Sequence, residues 1–205
     1  MEAEWGKRGR SYRKSTKRRE EIVARAMELF AEQGVGASLR SIGEAIGVSH
    51  AALRYYFPTR DDLLVAVYRS HEQAVDGVHS PPGPDQSDSA VEAMESSAVR
   101  NRTIPGLVEL YATLTTDALQ GERHPATRAF VRERFQQVRA DLAERVRCGQ
   151  QAGRIAADID PQDAAALVIA ASDGLQIQWL LDPDSVDVHR SLRLLERLLP
   201  GREGD

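Results

Sequence analysis

Residues 49–56 read Ser-His-Ala-Ala-Leu-Arg-Tyr-Tyr, a run whose polar members suit contact with a nucleic acid. His50 can donate to or accept from a base edge, with guanine N7 and O6 as natural targets. Ala51 and Ala52 permit close approach and fit a thymine methyl. Arg54 can make a bidentate guanine contact or grip a phosphate. Tyr55 suits an aromatic lying against the sugar-phosphate, with Tyr56 turned partly toward the core. Other chemistries are poorly supplied. The five histidines (His50, His71, His79, His124 and His189) show no HxxxH or HxxH pairing, and with one cysteine, Cys148, there is no zinc ligand set of usual spacing. No Gly-rich phosphate loop, GxSxG elbow or GxGxxG is present. Asp173 stands on an otherwise apolar stretch, where a paired helix-end or interface carboxylate is a better reading than a buried general acid. The sequence therefore predicts no enzyme, no metal and no cofactor.

The side chains of 49–56 need a rigid mount, and the flanking text supplies one. Leu39, Ile42, Ala45, Ile46 and Val48 form one apolar side of a compact helix pair, and Leu53 and Phe57 the other. Gly47 falls at the sharp turn, where φ > 0 is cheap for glycine. Ser38 and Ser49 each stand where an N-cap hydroxyl is wanted. A short helix, a turn with Gly and a second helix make a helix-turn-helix over residues 38–57. Upstream, Arg19–Gln33 carries Ile22, Ala26, Leu29 and Phe30 at helical spacing, ended by Gly34. Downstream, Pro58 stops the second helix and Thr59-Arg60-Asp61-Asp62 opens another with a hydroxyl cap and an acidic first turn.

Charge is distributed unevenly. Residues 1–60 hold 12 Lys+Arg against 7 Asp+Glu, whereas 61–205 hold 15 against 24. A polyanionic partner is thereby directed to the N-terminal third. Lys7, Lys14 and Lys17, with Gly6 and Gly9 among them, predict a flexible basic arm over residues 1–18 that orders on phosphate. The helix-turn-helix domain then spans 19–65, and 66–205 is a larger acidic helical domain. A Pro-rich loop is expected near 79–89. Beyond it, helices are expected over Ile104–Leu119, from Pro125 to Gly149 or Gly153, over Ala164–Leu181 and over Val186–Leu199. Ala170 and Gly174 allow close helix approach, and Leu192, Leu195 and Leu199 form a stripe; both can serve as core or as a dimer interface. Ala164–Leu181 is interrupted by Ser172, Asp173, Gln176 and Gln178, so a buried helix rather than a membrane span is expected. With no visible secretory signal and a lone cysteine, the expected setting is cytoplasmic.

The string IVARAMELFAEQGVGASLRSIGEAIGVSHAALRYYFPTRDDLL, residues 22–64, resembles the TetR family of bacterial transcriptional repressors. It has the family's helix-ending glycine, hydroxyl before helix two, Gly-Val-Ser turn, Leu and Phe in helix three, and basic residue opening helix four. Arg54 stands where the family usually has Tyr, Ala51 where Gly is common, and Arg60 where Lys is usual. The resemblance implies phosphate contacts from Ser38, Arg40 and Arg60, to which helix N-termini add N–H donors. It also implies an all-α protein, an N-terminal helix-turn-helix domain followed by a helical ligand-binding and dimerisation domain. The string ASDGLQIQWLLDPD, residues 171–184, is similar to the C-terminal helix of many members, whose last two helices build a four-helix bundle across a two-fold axis. The implied function is ligand-controlled repression by a homodimer on a palindromic DNA operator. A small-molecule effector would enter among the central helices, where Tyr111, Leu114, Thr115, Phe130, Arg134, Gln176 and Trp179 are the candidates. Its binding would move helix four, so that the recognition helices no longer match major grooves about 34–36 Å apart. The rival reading is a helical protein-interaction module without sequence-specific DNA binding. It accommodates everything after residue 61 and leaves the basic arm and the capped motif unexplained.

Overall fold

The computed structural model describes residues 2–34, 36–75 and 89–198, with side chains placed for 14–34, 36–72 and 89–198. Every regular element among the described residues is a helix, and none is a strand. α1 runs Glu2–Gln33. The stretch expected to be a flexible arm is therefore helical from Glu2. It contains no proline, and Glu, Lys and Arg around Gly6 and Gly9 are good helix formers. The helix anchored by Ile22, Ala26 and Phe30 can extend backwards at the low cost of propagation rather than nucleation. At its other end Gly34 adopts φ 74° and its N–H reaches the Phe30 carbonyl at 3.0 Å, the left-handed cap the sequence called for.

α2 (Leu39–Ala45) and α3 (His50–Tyr56) form the helix-turn-helix. The Ser38 hydroxyl accepts the Ser41 N–H at 3.1 Å and the Ser49 hydroxyl that of Ala52 at 3.2 Å, so each short helix has a side-chain cap. Gly47 turns the chain at φ 69°. Gly43 is equally constrained: a Cβ there would lie 2.8 Å from the Val48 carbonyl oxygen, so only glycine lets the turn close on α2. Leu53 and Phe57, both fully buried, pin α3 against Ile22 and Ile42. α4 (Arg60–Val75) starts with a reciprocal cap, in which Thr59 Oγ1 accepts the Asp62 N–H and the Asp62 carboxylate accepts the Thr59 N–H.

The rest comprises α5 (Ala90–Thr103), α6 (Leu107–Leu119), a 3-10 turn (Gly121–Arg123), α7 (Pro125–Gln151), α8 (Pro161–Leu181) and α9 (Val188–Leu198). α5 has no counterpart in the sequence reading. It opens on a capping box between Ser89 and Glu92, but its buried face is weakly apolar, with Glu95 among Ala90, Val91 and Ala98. The Pro-rich loop lies outside the described residues except for Ser89. The helix expected over Ile104–Leu119 begins only at Leu107. Pro105 sits in the turn before it, and Gly106 adopts φ 77°, which an α-helix cannot contain. Pro125 does open α7, and Asp160 caps α8 through the Gln162 and Asp163 N–H groups.

Two apolar clusters hold these helices. The first joins α1–α4 to α6 and the start of α7 through Leu107, Leu110, Leu114, Phe130 and Val131. The second joins α5, the end of α7, α8 and α9. The first crosses residue 65, so α4 is a strut shared by α1 on one side and α6 and α7 on the other. α8 has the length and composition of a membrane-crossing helix. Its Ala164, Ala165, Val168 and Ile169 pack into the subunit, while Leu167, Ala170, Ile177 and Leu181 are exposed. The helix expected to be buried is thus buried on one face and exposed on the other.

The α9 stripe needs a correction as an interface. Val188 and Leu192 are fully buried within the subunit and Leu195 packs beside them. Their spacing marks an apolar face, and a short amphipathic helix uses its only such face on its own core. Leu199 lies outside the described residues.

Gly106→Ala should cost about 2 kcal/mol or more, because the left-handed backbone is strained for alanine and the added Cβ would lie 2.9 Å from the Phe30 carbonyl oxygen. A urea unfolding midpoint equal to that of the unaltered protein would contradict this docking of the α5–α6 turn on α1.

Candidate nucleic-acid interface and effector cavity

The polar side chains of α3 face outward together. Ser49, His50, Ala51, Ala52 and Arg54 are exposed, and Tyr55 is 76% exposed. Tyr56 is half-buried and meets Tyr55 edge-on at 5.0 Å between ring centroids. The alternation follows from helical spacing, since Leu53 and Phe57 occupy the opposite face. Ser38 and Arg40 are exposed at the start of α2, where the Arg40 guanidinium forms an ion pair with Glu44 at 3.0 Å. Tertiary structure adds partners that α3 alone does not announce. Lys14, Lys17 and Arg18 of α1 line an open groove of about 700 Å³ with Tyr55 and Tyr56. Arg19 stacks its guanidinium 4.9 Å from the centre of the Phe57 ring, which ties this part of α1 to the end of α3.

Arg60 departs from expectation. Its side chain is only 24% exposed, donating from Nε to the Ala37 carbonyl at 3.0 Å and pairing with Asp117 of α6 at 3.3 Å. A guanidinium so engaged serves the seam between α4 and α6 rather than a phosphate. Next to it Asp61, buried, contacts His124 at 2.8 Å. Asp61, Asp117 and His124 bring their ligand atoms within 4.8 Å of one another. The Arg60 guanidinium already supplies positive charge to that group, so it works as an ion-pair seam.

The seven cavity candidates separate into three sets. Tyr111, Thr115 and Gln176 line one cavity of about 180 Å³ with Val108, Ala112, Phe135, Asp173 and Ile177. Leu114 and Phe130 are core residues, because a helix face that meets α4 directly leaves no space beside it. Trp179 lies outside this cavity, with the Arg102 guanidinium 5.6 Å from its ring centre. Arg134 sits behind the cavity wall. Its guanidinium lies 5.1 Å from the Tyr68 ring and 5.2 Å from the Tyr111 ring and pairs with Glu72. Burial pushes the Tyr68 hydroxyl up to about 12 and raises that of Tyr111 as well, so both are neutral donors.

Asp173, which the sequence suggests is a paired helix-end or interface carboxylate, faces the cavity. Its contacts among the described residues are the Tyr111 hydroxyl, donating at 3.4 Å, and the field of Arg134. Burial outweighs both and lifts its carboxyl from 3.8 to about 6. The signal in the sequence was an acid on an apolar stretch, but whether it met an arginine or an empty space depended on the packing of α6, α7 and α8. Gln176, buried, bonds to the Ser172 carbonyl and to Asn101 of α5.

This is the architecture of an all-α DNA-binding regulator with an internal small-molecule cavity. Comparison with known proteins gives the family. The profile of bacterial regulatory proteins of the tetR family matches residues 22–67, and that of the BetI-type transcriptional repressor C-terminal region matches residues 118–201. Together they cover more than half of the chain, which belongs to the TetR family of bacterial transcriptional regulators. The chain is 24% identical to the regulator UidR of Escherichia coli over 189 residues, covering 88% of each protein. It is 28% identical over 188 residues to BetI of Rhizobium meliloti, covering 87% of this chain and 86% of the relative. A putative transcriptional regulator from Saccharomonospora viridis, solved with choline, has the same fold. Its TM-score is 0.66 at 22% identity, over 89% of this chain and 95% of that one. The protein is thus a bacterial transcriptional regulator of this family and not an enzyme.

The raised carboxyl of Asp173 carries a linkage consequence. Its neutral form is favoured in the folded state, so its contribution is full below about pH 4 and is lost as pH rises through about 6. Asp173→Asn should therefore match the unaltered protein near pH 4 and exceed it at pH 7.5 by about 1–3 kcal/mol. Urea unfolding at the two pH values measures this; equal stability at pH 7.5 would mean the carboxylate is compensated.

Proposed function

We propose that the protein is a cytoplasmic homodimeric repressor that binds a palindromic operator through α3 and is released by a small molecule bound among α6, α7 and α8. The observation that carries the reading is the division of α3. Leu53 and Phe57 are locked into the core while His50, Arg54 and Tyr55 stand clear beside the basic face of α1. His50 and Arg54 are assigned to the major groove, Ala51 and Ala52 to close approach, and Ser38, Arg40 and Tyr55 to the backbone. Ser49 is foremost the cap of α3, and Tyr56 braces Tyr55.

Release follows from the shared strut. Tyr111 and Thr115 of the cavity wall belong to α6, which grips the start of α4 through Asp117 and Arg60. α4 follows α3 after only Phe57, Pro58 and Thr59. A ligand that displaces α6 pulls on α4 and changes the separation of two recognition helices. It does so only to the extent that it binds the displaced state better. Dimerisation is assigned to the outer face of α8, where Ala170 and Gly174 lie among Leu167, Ile177 and Leu181.

Selection from random duplex DNA should enrich an inverted repeat with half-sites about one helical turn apart. A His50→Ala, Arg54→Ala variant of unchanged thermal stability should lose most of that preference while retaining weak, salt-sensitive binding. Undiminished enrichment by the double variant would remove α3 as the reader.

Leu167→Glu combined with Ile177→Glu places charges on the open face of α8 and should convert the dimer to a folded monomer in analytical ultracentrifugation. Leu192→Glu should instead unfold the subunit. A dimer that survives the paired change must use another surface.

A further inference from the structure

We propose that the pocket enclosed by α1, α4 and the turn into α6 is a second ligand site, built for a small neutral aromatic molecule with one hydroxyl, anchored by His71. It shares no lining residue with the cavity between α6, α7 and α8 and stands on its own geometry.

The pocket follows from side-chain sizes where the helices cross. The left-handed Gly106 brings the turn against the Phe30 carbonyl, so that Gly106 meets Ala31 of α1. Neither has the side chain to fill the space that Phe30, Val67 and Leu107 enclose, and about 200 Å³ stays open. That volume is comparable to the roughly 150 Å³ cavity that admits benzene in an engineered protein, so one substituted ring fits.

One group in this wall differs from the rest. His71 of α4 is only 7% exposed. It nevertheless makes no hydrogen bond or ion pair among the described residues, and its ring neighbour is Tyr68, edge-on at 6.5 Å between centroids. A neutral imidazole holds one N–H donor and one acceptor nitrogen, and a polar group withdrawn from water without a partner is costly. Water is a poor substitute in a chamber otherwise lined by carbon, because it needs about two to four polar partners. A hydroxyl on an aromatic ring supplies what is missing. Its O–H donates to the imidazole nitrogen while the ring covers Val67 and Leu107.

Charge disfavours the ionic alternatives. Burial, reinforced by the positive fields of Arg100 on α5 and Arg134 on α7, holds the His71 imidazole below the usual histidine range and so neutral at pH 7. The same fields oppose a cation beside it. Glu28 of α1, an exposed member of the lining, repels an anion. The apolar wall returns nothing to either ion for its lost hydration.

The test is calorimetric titration of the full chain at pH 7.5 with four single-ring compounds: 4-ethylphenol, ethylbenzene, 4-methylbenzoate and benzylammonium. 4-Ethylphenol should bind, ethylbenzene should bind at least about tenfold more weakly, and neither ion should bind measurably. His71→Leu should bring 4-ethylphenol down to the affinity of ethylbenzene. Ethylbenzene should bind that variant at least as well as before, which shows that the pocket survives the change. In methyl-labelled protein, 4-ethylphenol should shift the Val67 and Leu107 resonances and leave that of Ile177, in the other cavity, in place. This reading uses the unaltered chain, so it decides the location even if His71→Leu does not fold. The proposal is overturned if ethylbenzene or either ion binds as well as 4-ethylphenol, or if none of the four binds. It is equally overturned if His71→Leu keeps the preference for the hydroxyl, or if the shifts fall on Ile177 and not on Val67 and Leu107.

Discussion

Arg134 is the charge around which the two halves of the molecule are organised. It is carried by α7, pairs with Glu72 of α4 and lies against the rings of Tyr68 on α4 and Tyr111 on α6. A guanidinium removed from water is tolerated only where an anion and polarisable surfaces replace its hydration, and removal of one member of such a pair commonly costs about 3–5 kcal/mol. Tyr68 and Tyr111 stack at 5.4 Å between centroids, and Phe130 meets Tyr68 edge-on at 5.6 Å. The result is a junction in which α4, α6 and α7 cannot shift independently. α4 follows α3 directly and α6 lines the cavity, so the exposed face of α3 and the cavity are joined through one mechanical element.

A second set of contacts sharpens that coupling near the start of α4. Arg60 reaches back to the carbonyl of Ala37 before α2 and forward to Asp117 on α6, and Asp61 meets His124 just ahead of α7. Around these polar links the apolar cluster is continuous from Ile22 to Val131. Polar pairs of this sort have a definite geometry and can be broken or reformed as units, whereas apolar packing resists partial displacement. The seam therefore ties the start of α4 to α6 and to the turn before α7 through discrete pairs.

α8 shows how one helix meets two demands. Its inner face buries Ala165, Val168 and Ser172 against α7, and its outer face leaves Leu167, Ile177 and Leu181 in water. Exposed side chains of that size at helical spacing are costly in a monomer and ordinary in a symmetric pair. The small residues Ala166, Ala170 and Gly174 between them permit close approach of a second backbone. Asp173 lies between the two faces, which is why it borders both the cavity and the neighbouring groove.

Local rules were sufficient for the DNA-reading unit. Ser38, Gly47, Ser49, Pro58 and Thr59 declare the ends of α2, α3 and α4 because caps and turns depend on residues within four positions, and Leu53 and Phe57 declare the inner face by spacing alone. The start of α7 at Pro125 and the family itself were legible for the same reason. What only the tertiary structure decided is which of two chemically equivalent partners each side chain meets. Arg60 turned to Asp117 instead of outward, Leu192 turned to the core instead of to a second subunit, and Leu114 and Phe130 filled space that Tyr111 and Gln176 left open. α5 is not announced by the sequence because its buried face holds Glu95 between Val91 and Ala98, which interrupts the apolar spacing. Asp173 carries the same lesson: its identity as an acid on an apolar helix is written in the chain, whereas its lack of a committed cation arises from Arg134 having been taken by Glu72 across a separation of 62 residues. Periodicity and capping act over one or two turns, while compensation of charge and the filling of volume are settled between segments distant in sequence.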